Sequence, residues 1–164
     1  MTDIPTRKRW RRSEIGFVAI IVTALVSGAA LLWWPRGAGL GRADPKDSSQ
    51  TAQGRVVYNL RCASCHGENL QGQPNWQERK PDGKLPAPPH DANGHTWHHP
   101  DDQLFGFVKN GIVPYAPAGY KSDMPAFGGV LIDEEIWAVL AYIKSKWPAD
   151  IQERQEQINR QANQ

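Results

Sequence analysis

The chain has 164 residues, enough for one ordinary domain once its N-terminal apolar segment is set aside. Its 19 basic and 17 acidic side chains leave a net charge of +2, of which the first 14 residues carry +3 and the remainder −1, so charge gives no support to a nucleic-acid partner. The two cysteines, Cys62 and Cys65, are too close for a bridge between them to close a useful loop, which excludes a disulfide framework.

Residues 1–14 form a basic tip containing Arg7, Lys8, Arg9, Arg11 and Arg12, and residues 15–34 follow with no charge at all. Twenty residues rising about 1.5 Å each span about 30 Å, the thickness of a bilayer's hydrocarbon core. The excess of positive charge before the span predicts a single-pass transmembrane helix with a cytoplasmic N-terminus and everything after Trp34 on the far side. A cleaved signal peptide with a site near Ser27, Gly28 and Ala29 is the competing reading. Cleavage there would leave Leu31, Leu32, Trp33 and Trp34 at a new N-terminus, which favours an uncleaved anchor.

Residues 35–53 are rich in Gly, Pro, Ser and charge and read as a linker. A helix is predicted from Gly54 to Leu60, running into the cysteines, and the Gly- and Pro-rich stretch 67–97 reads as an irregular loop that wraps something. A second helix is predicted over 100–109, with Pro100 at its first position, Asp101 and Asp102 in its first turn and Gly111 past its end. A further loop carries Met124. A third helix starts at Asp133 as N-cap and runs to Lys146, with Ile136, Val139, Leu140 and Ile143 at helical spacing. Residues 149–164 are polar and Gln-rich with nothing evident to bury, and read as a frayed helical extension or a disordered tail.

The chemistry concentrates in Cys62-Ala63-Ser64-Cys65-His66, the C-x-x-C-H pattern for covalent attachment of c-type heme. Two thiols three positions apart can reach the vinyl groups on one edge of a porphyrin, and the adjacent imidazole falls beneath the iron. His66 is then the proximal ligand. A thiol-redox pair lacks the expected strand-then-helix surroundings, and a zinc site lacks a second cysteine pair. Attachment of heme c takes place beyond the cytoplasmic membrane, the side to which the predicted anchor sends the domain. For the sixth ligand, the only methionine besides Met1 is Met124, in Ser122-Asp123-Met124-Pro125-Ala126-Phe127, where Pro125 can stiffen the backbone.

Three stretches carry a family resemblance: 54–67 around the cysteines, 122–127 around Met124, and the helix at 133–144. On these the chain resembles the class I c-type cytochromes, bacterial, membrane-anchored and single-heme, over about residues 50–148. The resemblance implies an all-α cytochrome c fold of three or more short helices and long loops around one covalent heme c, behind an N-terminal transmembrane helix. It implies Gly54 packed against Tyr142, and an aromatic role for Tyr58. It also implies a proline carbonyl, from Pro88 or Pro89, that accepts a hydrogen bond from the proximal imidazole. The expected domains are 1–14, 15–34, 35–53, 54–148 and 149–164.

The implied function is one-electron transfer in a periplasmic domain on the inner membrane. The implied partners are redox proteins such as a terminal oxidase, a quinol-oxidising complex or a dehydrogenase, with no small-molecule substrate and no catalytic residue. A heme with a labile sixth ligand, serving sensing or catalysis, is the alternative within the same site. His90, His95, His98 and His99 depart from the simplest pattern. They read either as structural imidazoles around the heme with Trp97, or as ligands to a second metal such as copper, or as a replacement for Met124 on the iron.

Overall fold

The computed structural model describes residues 43–162 and 164. The predicted basic tip, the span 15–34 and residues 35–42 of the linker lie outside these residues. Among the described residues no helix is long and apolar enough to cross a membrane, and no strand forms.

Five α-helices make up the described chain: α1 (Ser48–Arg61), α2 (Ala63–His66), α3 (Asp101–Asn110), α4 (Asp133–Ser145) and α5 (Ala149–Ala162). Two 3-10 turns, Thr96–His98 and Val113–Tyr115, lie in the loops. The first helix therefore begins six residues earlier than Gly54, inside the stretch read as linker. The cause is Asp47, whose carboxylate accepts the backbone N–H groups of Ser49 at 2.9 Å and Gln50 at 3.0 Å. That cap satisfies two of the orphan donors of a first turn whose own composition, Ser-Ser-Gln-Thr, gives little sign of a helix.

α1 buries Gly54, Val57 and Tyr58, residues spaced to share one helix face. This face lies on α4, which is buried almost continuously from Ile136 to Lys144. At the crossing a Cβ on Gly54 would overlap the Ala138 carbonyl oxygen and stand 2.9 Å from Tyr142 Cβ. Gly54 is thus the residue that lets the two backbones touch, with Ala138 as well as the expected Tyr142. Tyr58 is completely buried, its ring 5.4 Å from that of Tyr142.

The other two predicted helices form with shifted starts. Pro100 stands one position before α3, as its N-cap, and Asp133 is the first residue of α4 rather than its cap. Ile132 occupies the cap position, and its N–H is accepted by Glu135 at 3.0 Å. Asp133 instead pairs with Lys109 of α3 at 2.8 Å. Phe105 stacks on Trp137 at 4.4 Å, closing α3 onto α4.

The largest correction concerns residues 149–164. The polar stretch is an ordered helix through Ala162 that buries Ile151, Gln155 and Asn159, one per turn. It buries polar groups because the surface it meets is polar: Lys144 and Asp101 pair at 2.7 Å, their side chains 5% and 9% exposed. The Gln155 amide donates to Asp101 at 2.7 Å. Asp101 N–H donates to Asn159 at 2.7 Å. A buried charge pair is tolerated when further hydrogen bonds satisfy it, and α5 supplies them.

Candidate heme site

α2 is a single turn that follows α1 directly, with Cys62 at the junction. Cys62 N–H donates to the Tyr58 carbonyl at 2.8 Å, and the N–H groups of Cys65 and His66 donate to the Cys62 carbonyl at 3.1 and 2.9 Å. Continuous helical bonding puts residues three and four apart on one side, so Cys62, Cys65 and His66 face together. The hydroxyl of Tyr58 donates to the Gly67 carbonyl at 2.8 Å, fastening the end of this turn to the core. Both thiols are free, Cys62 half-buried and Cys65 exposed. Burial, and then the neighbouring Cys65, push the Cys62 thiol up to about 11.

His66 is buried, 8% exposed, and its Nδ1 lies 2.8 Å from the Pro88 carbonyl oxygen. A carbonyl can only accept, so Nδ1 carries the proton and Nε2 keeps its lone pair for a metal. Burial lowers the pKa of this imidazole, against the opposing pull of the Pro88 carbonyl, and so favours the neutral, ligating form. Of the two prolines, Pro88 supplies the bond. Gly72 and Gly94 clasp the pair: a Cβ on Gly72 would press on the Pro88–Pro89 peptide, and one on Gly94 would overlap the Pro89 carbonyl. The Gly-rich loop thus serves to hold one carbonyl at one imidazole nitrogen.

Met124 stands on a separate segment between α3 and α4 and is half-buried. Its N–H donates to the Ser122 hydroxyl at 3.0 Å. The loop is hung on α3 through Phe127 N–H to Val108 at 3.0 Å and Gly128 N–H to Lys109 at 2.9 Å. Next to Met124, Asp123 receives Lys80 at 2.9 Å and also pairs with Lys84, and Arg79 lies 5.5 Å over the Tyr120 ring. Residues 79–84 therefore latch the methionine loop from across the molecule. No sequence signal marks this pairing, since its partners lie about forty positions apart in loops without periodicity.

Each of the four clustered histidines has a partner outside the cluster, and His95 and His99 also meet edge to face at 5.5 Å. His90 stacks on His66 with ring centroids 4.0 Å apart, His95 on Trp76 at 5.7 Å and His98 on Trp97 at 3.7 Å. His99 bonds Gln103 through Nδ1 at 3.1 Å. Among the described residues no group of three or more His, Cys, Asp or Glu is arranged to hold a metal ion. Nearby, Trp97 Nε1 is a buried donor without a partner among the described residues. A buried N–H with no acceptor is rare, and a carboxylate-bearing cofactor such as heme brings acceptors of the kind it lacks. The thiols, the free lone pair of His66 and this donor together fit a covalently held heme.

Helices packed by a glycine crossing, long loops gathered on a C-x-x-C-H turn and a carbonyl-oriented histidine define a class I c-type cytochrome. Residues 49–143, more than half of the chain, match the family described as cytochrome C oxidase, cbb3-type, subunit III, and the chain belongs to that family of cytochrome c domains. It is similar to the cytochrome bc1 complex cytochrome c subunits of Mycobacterium bovis and Mycobacterium tuberculosis, at 31% identity over 70 residues, 43% of this chain and 25% of each relative. The matched stretch is thus a quarter of those proteins' length. No solved structure matches the chain. The family implies covalently bound heme c and an electron-transfer role.

Proposed function

We propose that this chain is a single-heme electron carrier tethered to the bacterial inner membrane. Residues 15–34 are an uncleaved anchor, residues 1–14 lie in the cytoplasm, and the heme domain stands in the periplasm. Cys62 and Cys65 would bond one heme c, and His66 and Met124 would hold its iron. The observation that carries the reading is the commitment of His66 Nδ1 to Pro88, which leaves Nε2 as a metal ligand one turn from Cys62 and next to Cys65. Bound heme supplies one-electron chemistry, its iron alternating between ferric and ferrous forms.

The chain's own residues do the rest. Pro88 fixes the imidazole and would raise its basicity as a ligand, while Met124 would hold the iron as its second protein ligand and leave no open position for a substrate. A thioether ligand in an apolar setting favours the reduced state and raises the potential. The anchor confines the domain to two dimensions and raises its effective concentration near membrane partners. The oxidase subunit in the family's description and the bc1 complex subunits among the relatives support a quinol-oxidising complex or dehydrogenase as donor and a terminal oxidase as acceptor.

Spectroscopy of the purified full chain tests the site. The pyridine derivative should show one heme with two thioether bonds, the ferric protein should show the weak far-red methionine–iron band, and the reduced protein should not react with CO. Met124→Ala should remove the band and admit CO. Ready CO binding by the unmodified protein would instead establish the labile-ligand alternative. Reporter fusions after residue 14 and after residue 164 test topology: periplasmic activity of the first, or cytoplasmic activity of the second, contradicts the proposed orientation.

A further inference from the structure

The face of the proximal imidazole is engaged as firmly as its edge. His90 lies against His66 with the rings 4.0 Å apart and only 21° from parallel. His90 is itself pinned on three sides. Its Nδ1 is 2.8 Å from the Thr96 hydroxyl, its N–H donates to the Leu70 carbonyl at 2.7 Å, and its carbonyl accepts Trp147 Nε1 at 2.7 Å. Leu70 and Trp147 belong to the hydrophobic core, so the stacked ring is referenced to the body of the fold and not to the loop alone.

Tethered at Cβ and held by Pro88 at Nδ1, the imidazole keeps a residual tilt of its plane, because a single hydrogen bond directs a line and not a plane. A second ring laid flat on its face removes that freedom. The plane of a histidine ligand sets how the iron's d orbitals split, so groups that orient it tune spectrum and potential without touching the metal.

We propose that His90 is a positioning residue for the proximal ligand: its stack on His66, pinned by Thr96, sets the rotational orientation of the imidazole at the heme iron. The role rests on the heme reading given above and concerns orientation, not ligation.

The test uses the full heme-loaded chain and three variants, His90→Leu, His90→Phe and Thr96→Val. The readouts are the three g values of the ferric protein by electron paramagnetic resonance, the midpoint potential by optical redox titration, and thermal stability. His90→Leu, which removes the flat ring, is expected to change the spread of the g values and shift the potential. His90→Phe restores a flat ring and should return the g values most of the way. Thr96→Val should shift them in the same direction as His90→Leu and by less. A His90→Leu protein with wild-type g values and potential, even at lowered thermal stability, overturns the proposal and leaves His90 a packing residue. Where His90→Leu fails to retain heme, Thr96→Val decides: wild-type g values and potential in it overturn the proposal. Failure of the heme reading looks different, as an unmodified protein without a low-spin histidine-ligated signal, or a His66→Ala protein that keeps one.

Discussion

At Gly54 a single hydrogen atom decides how near α1 and α4 approach, because the Ala138 carbonyl fills the space a methyl group would need. Backbone oxygen cannot swing aside like the tip of a long side chain, so Gly54→Ala is expected to cost about 1–3 kcal/mol with heme still attached. A lowered melting temperature in calorimetry is the check, and an unchanged one would mean that the helices separate without penalty. Asp123 poses a different problem, being exposed yet bonded to two lysines beside the proposed ligand. Lys84 and then Lys80 hold its carboxyl below the ordinary range. Its folded pKa lies below the unfolded one, so the latch is complete above about pH 4 and is lost as pH falls through the lower, folded value. Asp123→Asn should therefore weaken the far-red methionine band and quicken CO binding at neutral pH, and the unmodified protein should show both changes only in acid. A variant with an unaltered band at low and high salt would show that the loop holds Met124 without the latch.

Among the helices, α5 departs furthest from its reading. A stretch averaging strongly polar offers no apolar stripe, and helical propensity alone does not order an isolated helix of this length. What orders it is the Lys144–Asp101 pair, whose remaining hydrogen-bonding capacity needs Gln155 and Asn159. Lys144→Met leaves Asp101 charged and buried, which is expected to cost about 3–5 kcal/mol. Adding Asp101→Leu to it should recover a large part, and a double variant no more stable than the single would contradict the pairing account. α5 also packs on the 3-10 turn Thr96–His98, and Gln155 donates to the His99 carbonyl at 3.3 Å. The C-terminal helix thereby backs the segment that carries Thr96 and Trp97.

For the whole molecule, a core of this size threaded by a loop from Gly67 to His95 is marginal without a large apolar insert. The Trp97 donor, without a partner among the described residues, and the half-buried Cys62 fit a heme as that insert. A heme-free Cys62→Ala, Cys65→Ala chain is expected to lose most of its near-UV circular dichroism, and a native-like spectrum would show that the polypeptide folds without the cofactor.

The heme-binding motif was readable along the chain because it rests on local spacing, a thiol pair one turn apart, and the glycine crossing because the family resemblance implied it. Helices α3 and α4 were readable for the related reason that apolar periodicity and end signals are local. Pairings between loops carry no periodicity, so Pro88 over Pro89, His90 on His66 and Asp123 between two lysines emerge only when the chain closes on itself. The same holds for α5, whose burial depends on a charged pair contributed by two other helices. Composition and spacing determined which chemistry the protein can hold. Tertiary structure decided how the His66 imidazole is oriented, because its angle is set by contacts distant in sequence and adjacent in space.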